Sequence, residues 1–278
     1  MSRKMKILTF SGRWGLTVVV AGIILIPLYW IFISSLTPAA ELFKSPIDYL
    51  PDHATLANYK SLIFKLGIGQ KALDTLIITG GSLIVSTIAC LLAAYAFTRF
   101  KSGWLSAAFG AIIFSALIPG IVTARPLFDF LKSMNLIDTY LGLTILYTSN
   151  LIPFTVLIMV NFLGAIPLDF EEAANVDGAN FIQKLFKVTL PLMGPAIATT
   201  LIINFITCLN DLFTPLFFSQ KIEVLSIGIT TIPKLNSYMM PWDLISTMGW
   251  IILLPIIIFI LIFEKRIMEG IMAGGVKG

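Results

Sequence analysis

The sequence has little charge. Only 12% of its residues are Asp, Glu, Lys or Arg, about half of the roughly 25% usual in soluble proteins, and 57% are hydrophobic. So few ionic groups cannot cover a water-soluble domain, and the composition points to an integral membrane protein. Histidine occurs once, at His53, and cysteine twice, at Cys90 and Cys208, in separate hydrophobic stretches. That supply gives neither a Cys/His cluster for structural zinc nor a paired-histidine helix for a metalloprotease, so no metal site is expected. The two thiols are expected to stay free and to behave as small apolar groups. No G-x-x-x-x-G-K-[ST] phosphate loop occurs, so the chain offers ATP no site of that type. The net charge of +4 is too small, and its basic residues too dispersed, to suggest a nucleic-acid partner.

What the sequence has instead is a series of long runs without charge. The first follows a basic start, Arg3, Lys4, Lys6 and Arg13, and stays uncharged from Trp14 to Ala40. Its apolar part exceeds the roughly 7–15 residues of a secretory signal and reaches the roughly 20 that cross a bilayer, which predicts an uncleaved anchor. With the further runs, the predicted spans are about 14–36, 75–98, 102–124, 139–166, 188–218 and 244–263, the fifth extended past Asp211 because Leu212, Phe213, Leu216, Phe217 and Phe218 follow it. The expected fold is therefore all-α, a single six-helix transmembrane domain over 1–278. Segments 1–13, 99–101, 169–187 and 264–278 hold 11 basic residues in 50 positions, against 8 in 81 for the segments on the other side. The denser side is expected to be cytoplasmic, with both termini on it.

Within the spans, Ser82, Ser86, Ala89 and Ala93 recur at helical spacing and suggest a packing seam. Asn150, Asn161, Asn204, Asn210 and Asp211 are costly against lipid, so they are expected to face protein or a wet path. An amide offers both a donor and an acceptor to sugar hydroxyls, and an interhelical hydrogen bond is the equally ready structural alternative. Asn150, Asn204, Asn210 and Asp211 are the candidate path residues.

The second half is interrupted by one long polar segment, from Glu171 to Pro191. Its Glu171, Glu172, Asp177, Lys184 and Lys187 must sit in water. Asp169 with Glu172 has the spacing of a capping box, Gly178 suits a helix C-cap, Asn180 with Gln183 can restart a helix, and Pro191 is expected to limit it. The predicted result is a helical elbow.

The order Glu172-Ala173-Ala174, Asp177-Gly178-Ala179, Phe186, Val188 and Leu190-Pro191 closely resembles the EAA loop of binding-protein-dependent ABC importer permeases. The Asp-Gly-Ala variant looks most like the carbohydrate branch, although Val188 stands where isoleucine is usual. The ending Gly274-Gly275-Val276-Lys277-Gly278 resembles the tail of maltose-type permeases, which reaches between two ATPases. Thr55-Leu56-Ala57-Asn58-Tyr59 is similar to an element before the second span of such permeases. Leu209-Asn210-Asp211 resembles their Trp-Asn-acid element with leucine in place of tryptophan, and Asp74-Thr75-Leu76 stands where Asn-Thr-Leu is common.

The resemblance implies a transport subunit without enzymatic activity, in a bacterial or archaeal cytoplasmic membrane. It implies docking of an ATPase through Glu171, Glu172, Ala173, Ala174, Asp177, Gly178, Ala179, Leu190 and Pro191. Its expected partners are a second related permease, two ATPase subunits that bind ATP and Mg, an external solute-binding protein that touches the loop 219–243, and a sugar. The competing readings are a gradient-driven secondary transporter, an intramembrane enzyme, and a permease of the same superfamily for amino acids or peptides. Secondary transporters usually need ionisable groups deep in the membrane and often show repeated halves, and neither is evident here.

Overall fold

A computed structural model describes residues 3–46, 48–234 and 240–275, with side chains described from 15 to 264 within those ranges. Every regular element in it is helical: α1 (Arg3–Leu36), α2 (Ala57–Lys65), α3 (Ile68–Arg99), α4 (Gly103–Ser115), α5 (Gly120–Ser133), α6 (Tyr140–Ala165), α7 (Asp169–Val176), α8 (Phe181–Lys184), α9 (Leu190–Leu192), α10 (Gly194–Asn210), α11 (Phe213–Phe218), α12 (Leu225–Gly228) and α13 (Trp242–Gly275). Two compact units can be distinguished, one formed by Met1–Gly69 with Gly228–Leu254, the other by Gln70–Ile227 with Pro255–Gly278.

In the first unit, α1 is apolar from Trp14 to its end, and residues such as Leu16, Ile23 and Ile26 are exposed, a surface that only lipid or another protein can cover. Its C-terminal end is tied down. A helix ends with carbonyls that lack partners, and the Asn58 amide of α2 donates to two of that region, Ser35 O and Thr37 O, each at 3.0 Å. The hydroxyls of Tyr59 and Ser35 meet at 2.8 Å, and Thr247 of α13 donates to Ser35 O. The Asn-Tyr pair singled out in the sequence is thus a clasp on the end of α1. His53 lies exposed in the loop before it.

The second unit is built on α3, α6 and α10. Ser82 of α3 donates to Thr144 O of α6 at 3.1 Å, and Asn204 of α10 donates to the Thr155 hydroxyl of α6 at 2.9 Å. The buried stripe of α3 runs through Ile78, Ser82, Ser86, Cys90 and Ala94. This corrects the expected seam: Ser82 and Ser86 lie on it, but Ala89 is exposed, because the strict four-residue step carries the stripe to Cys90. Both cysteines are buried and free. Thr139 caps α6 by accepting the Gly142 N–H at 3.0 Å, and a β-carbon at Gly142 would fall 2.1 Å from Leu136 O, so this turn admits only glycine.

Among the described residues, four helices are individually long and apolar enough to cross a membrane: Gly15–Leu36, Ile68–Arg99, Tyr140–Ala165 and Trp242–Glu264. The expected spans at 102–124 and 188–218 are instead bent pairs. Between α4 and α5 the chain turns by 105° just before Gly120, where Pro119 has no N–H to continue the ladder. Phe181–Leu192 and Gly194–Asn210 meet at 69°. The fifth stretch also stops earlier than expected, because Asp211 is extended and its carboxylate accepts the Thr214 N–H to start α11.

Candidate functional site

The elbow between α6 and α10 is assembled from short-range signals. Leu168, not Asp169, occupies the N-cap of α7, and no side chain caps it. The expected Asp169–Glu172 capping box is therefore absent, since the helix starts one residue early and both acids fall inside its first turn. There they still favour the helix, because negative charge complements the positive N-terminal end of the macrodipole.

Gly178 ends α7 with φ +79, and the Ala179 N–H closes back on Ala174 O at 2.9 Å. A β-carbon there would meet nothing within 4 Å, so backbone conformation alone requires the glycine. The second capping box is present as expected: Asn180 Oδ1 accepts the Gln183 N–H and Gln183 Oε1 accepts the Asn180 N–H, both at 2.9 Å. Pro191 does not limit the helix that follows. Leu185–Thr189 widens into a π-helical turn, the chain continues through Pro191 to Leu192, and the bend comes at Met193 and Gly194. A wider turn relaxes the i to i−4 pattern to which proline cannot contribute a donor.

The two adjacent glutamates point opposite ways. Glu172 is exposed, together with Ala173, Asp177, Gly178 and Pro191, while Ala174, Ala179 and Leu190 are half-buried. Glu171 is only 6% exposed. Its Oε1 accepts from Arg99 Nε at 2.8 Å and its Oε2 from the Tyr95 hydroxyl at 2.7 Å. Glu171 therefore leaves the set of residues offered to a partner and becomes an internal anchor. Sequence reasoning missed Arg99 and Tyr95, and also Val176 and Ile182, which stand 88% and 64% exposed on the outer face. Apolar residues inside an otherwise polar segment were the available signal for the latter two.

The candidate path residues separate into two kinds. Asn204 is 2% exposed, and its amide is engaged by Thr155, whose hydroxyl in turn donates to Leu151 O at 2.7 Å. It is a structural bridge, which corrects its reading as a path residue. Asn150 and Asn210 are exposed; Asn150 reaches Thr214 at 3.3 Å, and the half-buried Asp211 caps the same turn. Asn150, Phe154, Leu157 and Asn161 form one exposed stripe on α6 at steps of three and four.

At the opposite end of α3, Lys71 is paired with Glu223, and the Leu225 N–H donates to Thr75 Oγ1 at 2.8 Å. Asp138 gathers the start of the same loop, accepting from the Ser219 hydroxyl and from the N–H groups of Gln220 and Lys221. Burial pushes the Asp138 carboxyl up. The hydrogen bonds from Gln220, Lys221 and Ser219, with the Lys221 charge, outweigh burial and hold it below its ordinary value. Its φ of 58° is a left-handed conformation that aspartate tolerates better than most residues. Gly274 and Gly275 lie at the end of α13, while Val276, Lys277 and Gly278 lie outside the described residues.

The helical scaffold has a counterpart among known proteins. Residues 66–269 match the family model of the binding-protein-dependent transport system inner membrane component. The chain belongs to that family. This inner membrane component is 31% identical to a sulfoquinovosyl glycerol transport system permease of Agrobacterium fabrum, over 97% of this chain and 95% of the relative. It is 32% identical to a trehalose transport system permease of Mycobacterium tuberculosis, over 95% of this chain and 96% of the relative. A solved bacterial ABC transporter involved in alginate import contains a chain that shares its fold, with a TM-score of 0.79, 22% identity, and coverage of 96% of this chain and 99% of that one. The inner membrane component is thus an all-α, multi-pass permease.

Proposed function

We propose that this chain is one permease subunit of an importer that carries a sugar or oligosaccharide across the cytoplasmic membrane of a bacterium or archaeon. ATP hydrolysis on separate ATPase subunits drives it. The observation that carries this reading is the elbow, which presents Glu172, Ala173, Asp177 and Gly178 outward beside Val176 and Ile182 while its inner side is fixed. A mixed acidic and apolar knob on rigid, capped helices fits a cleft on a soluble protein. Ala174, Ala179, Leu190 and Pro191 shape the knob from behind.

ATP and Mg belong to the partner ATPase, and this chain contributes the surface that the ATPase moves. Rotation of the ATPase lobes shifts the elbow and tilts α6 and α10 with it, a rigid-body change between inward-open and outward-open states. The basic residues of 1–13, 99–101, 169–187 and 264–278 support a cytoplasmic position for both termini and the elbow. The tail Gly274, Gly275, Val276, Lys277 and Gly278 extends that contact with the ATPases.

Relatives named for sulfoquinovosyl glycerol and trehalose transport, and a trehalose/maltose permease of Thermococcus litoralis at 28% identity, support carbohydrate as the cargo. The α6 stripe of Asn150, Phe154, Leu157 and Asn161 supports a second permease, because two amides facing lipid would be costly. Asn150, Asn210 and Asp211 then border the path between the two permeases. An external binding protein delivers the sugar at the loop 219–243.

The test is a detergent pull-down of the tagged protein from its native membrane, with partners identified by mass spectrometry. The unchanged chain should bring down a second permease and an ATPase, and Glu172→Ala should lose the ATPase. Recovery of the chain alone, with gradient-driven uptake after reconstitution, would replace this reading with a secondary transporter.

A further inference from the structure

The elbow is continuous in the chain with α6 and α10, but α3 can follow its movement only through non-covalent contacts. The polar ones sit at the last turns of α3. Arg99 Nε binds Glu171 Oε1 of α7 at 2.8 Å, Arg99 Nη2 reaches Ile166 O at the end of α6 at 3.4 Å, and the Tyr95 hydroxyl binds Glu171 Oε2 at 2.7 Å. The Tyr95 ring meets Phe181 of α8 edge-on, with centroids 5.4 Å apart. Two side chains of α3 therefore grip the end of α6 and both limbs of the elbow.

We propose that Glu171, Arg99 and Tyr95 form the joint that transmits elbow movement to α3, with Glu171 as its positioning residue. This rests on the ATPase-docking reading above. Adhesion alone does not require such a joint, because Cys90, Leu91 and Ala94 of α3 already pack with Val156, Met159, Leu163, Leu185 and Met193. A buried ion pair adds little net stability over an apolar contact of the same shape, but it is directional. Arg99 and Glu171 side chains are 9% and 8% exposed, so water replaces a broken bond only at a cost. The joint thus forbids sliding of α7 along α3, which greasy packing would allow.

The helix it moves has a second attachment. Roughly 40 Å of helix away, Lys71 is paired with Glu223 and Thr75 accepts the Leu225 N–H. A displacement imposed at Arg99 is delivered to the segment around Glu223 and Leu225.

The experiment uses the permease–ATPase complex purified from its native membrane, with Cys90 and Cys208 replaced by serine and a reporter cysteine placed at the exposed Leu76. The readout is the change in thiol-labelling rate on trapping with MgATP and vanadate. The expected result is that Glu171→Gln, and the neutral pair Glu171→Gln with Arg99→Gln, keep the ATPase bound but reduce that change roughly tenfold, with Tyr95→Phe intermediate. The neutral pair contains no unpaired charge and guards against simple misfolding. An unreduced response in the neutral pair would overturn the proposal, as would loss of the ATPase from Glu171→Gln, which would make Glu171 a docking residue. Failure of the unchanged chain to retain any ATPase would overturn the docking reading itself.

Discussion

Glu171 and Asp138 each fasten a surface segment, and they are held by different kinds of donor. Glu171 at the elbow takes its bonds from the side chains of Arg99 and Tyr95. Asp138 takes two of its three from main-chain N–H groups, those of Gln220 and Lys221. Main-chain donors survive any substitution except proline, so the clasp at Asp138 tolerates sequence change at 220 and 221. The elbow joint has no such tolerance, because the identities of residues 95, 99 and 171 must agree. One fastening is generic and static; the other can be broken from either side, as a moving joint between separate helices can be.

Arg99→Ala breaks the comparison most severely. It leaves the Glu171 carboxylate buried without its cation, and a loss of about 3–5 kcal/mol is expected, read as early thermal unfolding in detergent. Glu171→Gln should be milder, since an amide can still hydrogen-bond Tyr95. Asp138→Ala should cost about 1–2 kcal/mol and appear as faster proteolytic nicking near Lys221. The sign of its pH dependence is fixed by its lowered value. The stabilisation is fully present above the unfolded-state value of about 3.9 and is lost as pH falls through the lower folded value. Asp138→Asn should abolish that acid-side change in nicking.

Gly178→Val forces a β-branched residue into a left-handed conformation and should cost about 1–2 kcal/mol, whereas Gly178→Asn should cost less. The expected signature is reduced ATPase retention for valine and near-normal retention for asparagine. A ranking by side-chain size alone would show that the exposed space, rather than φ, matters. The smallest effect on stability belongs to Glu172→Ala, within about 0.5 kcal/mol for an exposed position, together with the loss of ATPase described above. That contrast with its neighbour Glu171 separates the outer face of the elbow from its inner one.

Local chemistry was legible in the sequence where donor and acceptor lie close together. The Asn180–Gln183 box and the left-handed Gly178 are determined within three or four residues, and both are present. The partner of Glu171 was not legible, because Arg99 lies 72 residues earlier and nothing near Glu171 says which way its side chain turns. The same limit explains Asn204, whose role depends on Thr155 on another helix. The bent pairs escaped detection because charge-free runs report the environment and not continuity. Pro119 was available as a sign of the first bend, but proline is also tolerated inside helices here, as Pro153 and Pro255 show. The α3 seam was assigned the wrong phase past Ser86 because small residues alone do not record which face is covered.

The Asn58 clasp bears on how the chain is made. Its acceptors on Ser35 and Thr37 lie only 23 and 21 residues before it. The bonds can close as soon as α2 has emerged, without any later helix. Short-range closure of this kind is fast, and domains generally assemble in the order of synthesis. The end of the first membrane helix can thereby be sealed by a segment that follows it closely in the chain.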